Sequence, residues 1–284
     1  MKYAFITALF TSVLLPVCSS SASENVKITP DVVYGHKFGM ALTFDVYQPQ
    51  ENPNGAGVLF MVSGGWHSRW TDPKNMLDWF QPLLDEGFTV FSVRHGSSPK
   101  FVIPEVVGDV RRSVRFIRHH AKEYGVDPDR LGVWGGSAGG HLSLVLGTTS
   151  DAGNLQEKDL VLRNSDRVAA VVAYYPPTDL TEFVDEKSPY YHRFPALQFD
   201  AKLADDFSPV FHVSQDDPPT LLIHGDQDKL VPISHSENIL KKFQEQKVQA
   251  ELLVINNAAH GFQGEDKIRA SQAVVKWFKQ YLLN

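Results

Sequence analysis

Ser137 stands in the stretch Gly135-Gly136-Ser137-Ala138-Gly139-Gly140, where every neighbour is small. A serine hydroxyl is a poor nucleophile until a base takes its proton. That base is most often a histidine held in place by a carboxylate. Downstream the chain offers "LLIHGDQDKLVP", with Asp228, and then "LLVINNAAHGF", with His260. Serine, then acid, then histidine is one of the chain orders such groups use. Ser137 is the candidate nucleophile, Asp228 the orienting acid and His260 the general base. Asp226 is the rival acid, and its place directly after an apolar run suits a turn residue better. His224 lies inside that run and reads as a packed histidine or a support for the site. His141 falls in the first turn after the serine and is expected to pack there. His119 and His120 lie on a polar helix face and are expected to be solvated.

Gly135-Gly136-Ser137-Ala138-Gly139 fits the G-x-S-x-G pattern. The pattern is common by chance, so its context decides. An apolar run precedes it and a helical run follows, which would lift the hydroxyl above a sheet on a sharp turn. Small neighbours are needed there, because larger side chains would strike the adjoining strand and helix. The turn also puts Ser137 at a helix N-terminus, where amides favour developing negative charge. Acyl transfer needs donors for an oxyanion. One expected donor is the amide of Ala138. The others are the amides of Gly64 and Gly65, in the loop Ser63-Gly64-Gly65-Trp66 that ends "GVLFMVSGG".

These groups must be carried by strands and helices. "GVLFMV", "FTVFSVR" and "RLGVWGG" are short apolar runs suited to strands buried on both faces, and "RVAAVVAYYP", "PTLLIHG" and "AELLVI" supply later strands. "ALTFDVYQP" alternates Leu42, Phe44 and Val46 and predicts a half-exposed strand. Val106, Val110, Val114, Ile117 and Ala121 recur at steps of three and four, which predicts an amphipathic helix over 104–124, with Gly125 at its end. Further helices are expected over 138–146, 234–246 and 267–283. Strands alternating with helices give a mostly parallel, twisted sheet covered on both faces. Asp228 and His260 then fall on loops at its C-terminal edge, beside Ser137, where open α/β sheets bind ligands. Residues 178–219 break the rhythm, and a long irregular insert of this kind is often a lid. Trp66 and Tyr191 are the candidate substrate-binding residues, among the aromatics Trp70, Tyr190 and Phe194. Arg69 could meet an anionic group but suits solvent.

The chain has 284 residues, a net charge of -6 and a single cysteine. That length suits one domain over 24–284. The negative balance gives no nucleic-acid footprint. No His/Cys/Asp/Glu spacing suggests a metal site, and no cofactor is expected. "MKYAFITALFTSVLLPVCSSSASENV" has the layout of an export signal, over residues 1–23, so a periplasmic or secreted protein is expected. The apolar run is too short to span a bilayer. Lipidation at Cys18 is the minority reading, because Val17 is bulky for such a site.

"GVWGGSAGGHLSLVLGT", "DDPPTLLIHGDQDKLVP" and "NNAAHGF" together resemble the α/β-hydrolase esterases of the bifunctional feruloyl/acetyl-xylan esterase-like group. These are relatives of hormone-sensitive-lipase-type esterases and of prolyl-oligopeptidase catalytic domains. The resemblance covers most of the chain and is strongest over 104–149 and 216–262. It implies an α/β-hydrolase fold and a serine ester hydrolase using Ser137, Asp228 and His260. It also implies a small-molecule or polysaccharide-linked ester substrate, such as an acetyl or feruloyl ester. The chain departs from the group's His-Gly-Gly-Gly-Trp loop, with Val62 for the histidine and Ser63 for the first glycine. Two other functions keep the fold: a prolyl-oligopeptidase-like exopeptidase, and a catalytically weak carbohydrate-binding module.

Overall fold

In the computed structural model residues 25–284 are described. The expected signal over 1–23, with Cys18, lies outside them. An eight-stranded sheet runs in the order β1-β2-β4-β3-β5-β6-β7-β8. Its strands are β1 (Val26–Lys37), β2 (Met40–Pro49), β3 (Gly57–Met61), β4 (Thr89–Val93), β5 (Leu131–Gly136), β6 (Ala170–Tyr174), β7 (Thr220–Gly225) and β8 (Ala250–Ile255). β1 pairs antiparallel with β2, and β2 with β4. The remaining strands are parallel.

Helices cover both faces, as an α/β-hydrolase fold requires. α2 (Ile103–His119), α3 (Ala138–Thr148) and α5 (Ser234–Glu245) pack on one face, and α1 (Leu77–Leu84) and α6 (Gly264–Leu282) on the other. Each buries an apolar stripe, such as Val106, Val110, Val114 and Ile117 in α2. α2 stops at His119, five residues before the predicted end. Its stripe continues to Ala121 through turns whose backbone closes on itself, with the Val126 amide bonded to the Ala121 carbonyl at 3.0 Å. β2 is more buried than the alternation implies, because Asp45 and Tyr47 on its second face are covered as well.

β1 and α1 have no counterpart among the predicted elements. β1 carries register shifts between Thr29 and Val32 and between Val33 and Gly35. Such bulges scramble a period of two. α1 is eight residues long with Pro82 inside it, too short and interrupted for a helical period. The 178–219 insert holds the short helix α4 (Pro189–Arg193) and several single-turn helices. Leu180, Phe183, Val184, Ala196, Leu197 and Ala204 are buried beneath it, so the segment has its own packed underside.

From β3 the chain moves outward to β4, then crosses to β5 on the other side of β3. The strand order therefore reverses between the carboxyl ends of β3 and β5, and a crevice opens where the chain diverges. Ser137 and the 62–66 loop stand there.

Candidate active site

Ser137 follows β5 directly and sits at φ +54°, ψ −120°. Positive φ is rare for a residue with a side chain, and its cost is of order 1–3 kcal/mol. Close backbone approach enforces it. A Cβ on Gly135 would come within 2.4 Å of the Gly139 carbonyl carbon, and one on Gly139 within 2.6 Å of the Met61 oxygen. α3 can therefore start hard against β3 and β5 only while these positions lack side chains.

Ser137, Asp228 and His260 come together. His260 Nε2 is 2.9 Å from Ser137 Oγ, and Nδ1 is 2.7 Å from Asp228 Oδ2. A carboxylate can only accept, so Nδ1 carries the proton and Nε2 is left to accept from the serine hydroxyl. Asp228 Oδ1 accepts from the amides of Leu230 at 2.9 Å and Val231 at 3.0 Å. Its Oδ2 also lies 3.3 Å from His224 Nε2. Burial raises the pKa of Asp228, but the hydrogen bonds from His224, His260 and Val231 outweigh it, and the carboxyl is held well below the usual range. It stays ionised, fit to orient His260 and to stabilise its protonated form.

Asp226 does not meet His260; its Oδ1 accepts from the Asn257 amide at 2.6 Å and so ties its loop to the one after β8, rather than closing its own turn. His224 is fully buried between Ser236 Oγ and the Val231 carbonyl, each at 2.8 Å, and so braces the Asp228 loop. His120 is half-buried rather than solvated, paired with Glu123 at 2.8 Å and stacked on Phe116. His119 is exposed.

Two of the three expected oxyanion donors are free. The amides of Gly65 and Ala138 donate to no backbone acceptor among the described residues. Gly64 is a correction: its amide bonds to the His67 carbonyl at 3.0 Å, and the Gly64 carbonyl accepts in return from His67. This two-way bridge closes the loop tightly and spends that donor. Ser63 and Trp66 tie the same loop down. The Ser63 carbonyl accepts from the Gly139 amide at 3.2 Å. The Trp66 indole donates to His141 Nδ1 at 3.3 Å, and His141 Nε2 donates to the Phe207 carbonyl at 2.8 Å. Burial pushes His141 down to about 4, so it bridges as a neutral ring. Trp66, His141 and Phe207 thus hold the loop from which the group's histidine is absent.

Over Ser137 lies a cavity of about 500 Å³, bordered by Gly64, Gly65, Tyr175, Arg193, Phe194 and His260, among others. A second chamber of only about 20 Å³ opens beside Ser137, against Gly65, Trp66, Phe183, Tyr190, Phe194 and Leu230. Trp66 is 3% exposed and forms part of that small wall. Tyr191 borders neither chamber, which corrects its expected role. Tyr190 and Arg193 of α4, with Phe194 just past its end, fall at steps of three and four, and 191 falls off that face. Tyr175 is the residue that sequence reasoning missed. It has φ +35°, and its ring lies 4.5 Å from that of His260. Burial, and then the Asp228 charge, push its hydroxyl up to about 12, so it stays neutral. The signal was present: a Tyr-Tyr-Pro-Pro run ends a buried strand at the sheet edge where the site lies.

Residues 44–243 match the family model described as BD-FAE. The chain belongs to the BD-FAE family. Among curated relatives, a probable carboxylic ester hydrolase, LipM, of Mycobacterium tuberculosis is 31% identical over 76% of this chain and 51% of its own length. An acetylxylan esterase of Xylanibacter ruminicola is 29% identical over 64% of this chain and 36% of that protein. The chain therefore spans about half or less of these two relatives. Among solved structures, a truncated carbohydrate esterase from gut microbiota superposes with a TM-score of 0.77 at 24% identity, covering 91% of this chain and 97% of that one. An acetyl ester-xyloside bifunctional hydrolase from Caldicellulosiruptor lactoaceticus gives 0.77 at 23%, covering 89% and 96%. They share the fold of this BD-FAE member. No group of side chains suited to a metal ion occurs among the described residues, and no described helix is long and apolar enough to cross a membrane.

Proposed function

We propose that this chain is a serine carboxylic ester hydrolase that removes small acyl groups, acetyl above all, from carbohydrate hydroxyls. The observation that carries the reading is the continuous path Ser137–His260–Asp228, at 2.9 and 2.7 Å, opening into a cavity. Ser137 Oγ attacks the acyl carbon while His260 Nε2 takes the hydroxyl proton. The carbonyl electron pair moves to oxygen, and the Gly65 and Ala138 amides receive that oxyanion. As the tetrahedral centre collapses, the bond to the alcohol oxygen breaks and His260 returns the proton to it. Water repeats the sequence on the acyl-enzyme, giving the acid and regenerating the serine.

The acyl group follows from the small chamber. About 20 Å³ is the room of roughly one water or methyl group. Acetyl fits there, whereas a feruloyl ring would have to displace Phe194 and Tyr190. The names of the acetylxylan esterase and the carbohydrate esterase support a carbohydrate on the alcohol side.

The test is hydrolysis of p-nitrophenyl acetate by purified protein and by Ser137→Ala, with fluorophosphonate labelling. Activity and label in the wild type, both absent in the variant, are expected. An inactive, unlabelled wild type sinks the reading. Phe194→Ala should raise the butyrate-to-acetate ratio of kcat/KM by opening the small chamber. We also propose export, on the layout of residues 1–23. N-terminal sequencing of protein recovered outside the cytoplasm should begin near Ser23 or Glu24, and an intact Lys2 would contradict it.

A further inference from the structure

A larger cavity, about 760 Å³, lies between α1 and α6. Trp79, Trp134 and Tyr174 line both this groove and the cavity over Ser137. The groove thus runs up to the nucleophile's chamber and shares an aromatic wall with it. On α6 its lining spans Lys267 to Lys279, about 18 Å at 1.5 Å of rise per residue. Its far end is closed by the Lys279–Glu86 ion pair at 2.6 Å.

We propose that this groove holds the carbohydrate chain that carries the ester, while Ser137 acts on its acetyl group. The inference rests on the esterase reading and assigns a place to the alcohol side of the substrate. The wall supplies the first reason. Trp79 and Trp134 stack with centroids 5.6 Å apart and planes 9° apart. Trp134 is only 3% exposed, so Trp79 is the ring of the pair that presents surface to the groove; both indole nitrogens are buried with no partner among the described residues, which leaves that surface carbon. Carbon surface suits the apolar face of a sugar ring; Lys267 Nζ lies over the Trp79 ring, 4.7 Å from its centroid, and would move off that face to donate to the sugar's hydroxyls.

The rim supplies the second reason. Asp78, Asp85 and Glu86 face Lys267, Lys276 and Lys279, so the signs balance and neither an anion nor a cation is selected. A long acyl chain laid there would strip water from these charges and return no hydrogen bonds, which is costly. Ring hydroxyls both donate and accept, and Ser271 and Gln272 add further partners. A neutral, hydroxylated chain is the occupant that satisfies wall and rim together.

The test places bulk in the groove with Ser271→Trp and, separately, Val275→Trp. Each is compared with wild type on p-nitrophenyl acetate, which is too short to reach the groove, and on an acetylated xylo-oligosaccharide. The ratio of kcat/KM for the oligosaccharide to that for the small ester should fall at least tenfold, through KM. In Ser137→Ala, unacetylated xylohexaose should change the tryptophan fluorescence saturably, and adding either bulky substitution should remove the response. An unchanged ratio overturns the proposal, as does a loss confined to p-nitrophenyl decanoate, which would assign the groove to an acyl chain. If wild type hydrolyses p-nitrophenyl acetate but neither binds nor deacetylates the oligosaccharide, the groove proposal fails and the esterase reading stands. If p-nitrophenyl acetate is untouched while xylohexaose still binds in the groove, the esterase reading fails and the groove survives.

Discussion

Ser137 stores strain at the point where reactivity is needed. Glycine adopts positive φ without penalty, at an entropic cost of roughly 0.5–1 kcal/mol in the unfolded chain. Relief of the ~1–3 kcal/mol of strain should exceed that cost. Ser137→Gly is therefore expected to melt a few degrees above wild type in calorimetry, while losing ester turnover. A melting temperature below wild type would show the serine conformation to be unstrained. Asp228 allows a test by pH. Its folded pKa is depressed, so the stability it contributes is complete above the unfolded value, about 4, and is lost as pH falls through the folded value. The stability gap between wild type and Asp228→Asn in urea titrations should be widest near neutrality and narrow below about pH 4. In turnover, the same variant should lose roughly 10³–10⁴-fold in kcat, because an amide donating from its nitrogen imposes the wrong His260 tautomer. That these three side chains would converge was legible in the sequence because chemistry restricts residue type: a nucleophile, a base and an acid can be sought by name. Gly64 and Tyr191 were not legible, since one hydrogen bond to His67 and one rotation around α4 decide them.

Elements bring those residues together by close approach. Gly139 lies in the first turn of α3, where an alanine would ordinarily gain about 1 kcal/mol of helix propensity. Here the added carbon would sit 2.6 Å from the Met61 oxygen, a backbone atom. Overpacking of this kind costs roughly 1–3 kcal/mol, so the sign reverses. Gly139→Ala should be less stable than wild type in chemical denaturation, and less active, because α3 carries the Ala138 amide. A stabilised, fully active variant would contradict the close contact. The buried parallel strands and long helices were readable because their apolar runs are uninterrupted. β1 and α1 were hidden by bulges and by Pro82, local departures whose compensation comes from partners distant in sequence. That gap bears on the proposed groove, since α1 carries Asp78, Trp79 and Pro82 of its wall.

At the scale of the molecule, the antiparallel β1–β2 pair must be fastened to a parallel sheet that begins at β4. Arg94, just past β4, fastens it. Its guanidinium bonds Asp45 of β2 through both terminal nitrogens, at 2.5 and 2.8 Å, and Asp31 of β1 at 2.8 Å. The side chains of Arg94 and Asp45 are 10% and 2% exposed, and that of Asp31 is 53%. Removing Asp45 leaves the buried Arg94 with only the exposed Asp31, a loss approaching the roughly 3–5 kcal/mol of a broken buried pair, whereas an exposed pair is worth about 0–1 kcal/mol. Asp45→Ala should therefore destabilise several-fold more than Asp31→Ala in urea unfolding. Equal losses would mean that both carboxylates are hydrated.

The clamped loop after β3 bears on how such a hydrolase would meet its ester. Ser63 is bonded to Gly139, Gly64 to His67 and Trp66 to His141, while the Gly65 amide remains uncommitted. The hydroxyl is already bridged to its imidazole, so the loop after β3 does not have to rearrange before attack begins. Rates measured across rising concentrations of a sparingly soluble ester should then follow a smooth hyperbola, with no jump where droplets form. Working on dissolved molecules rather than on oil surfaces would be a direct legacy of that fastening.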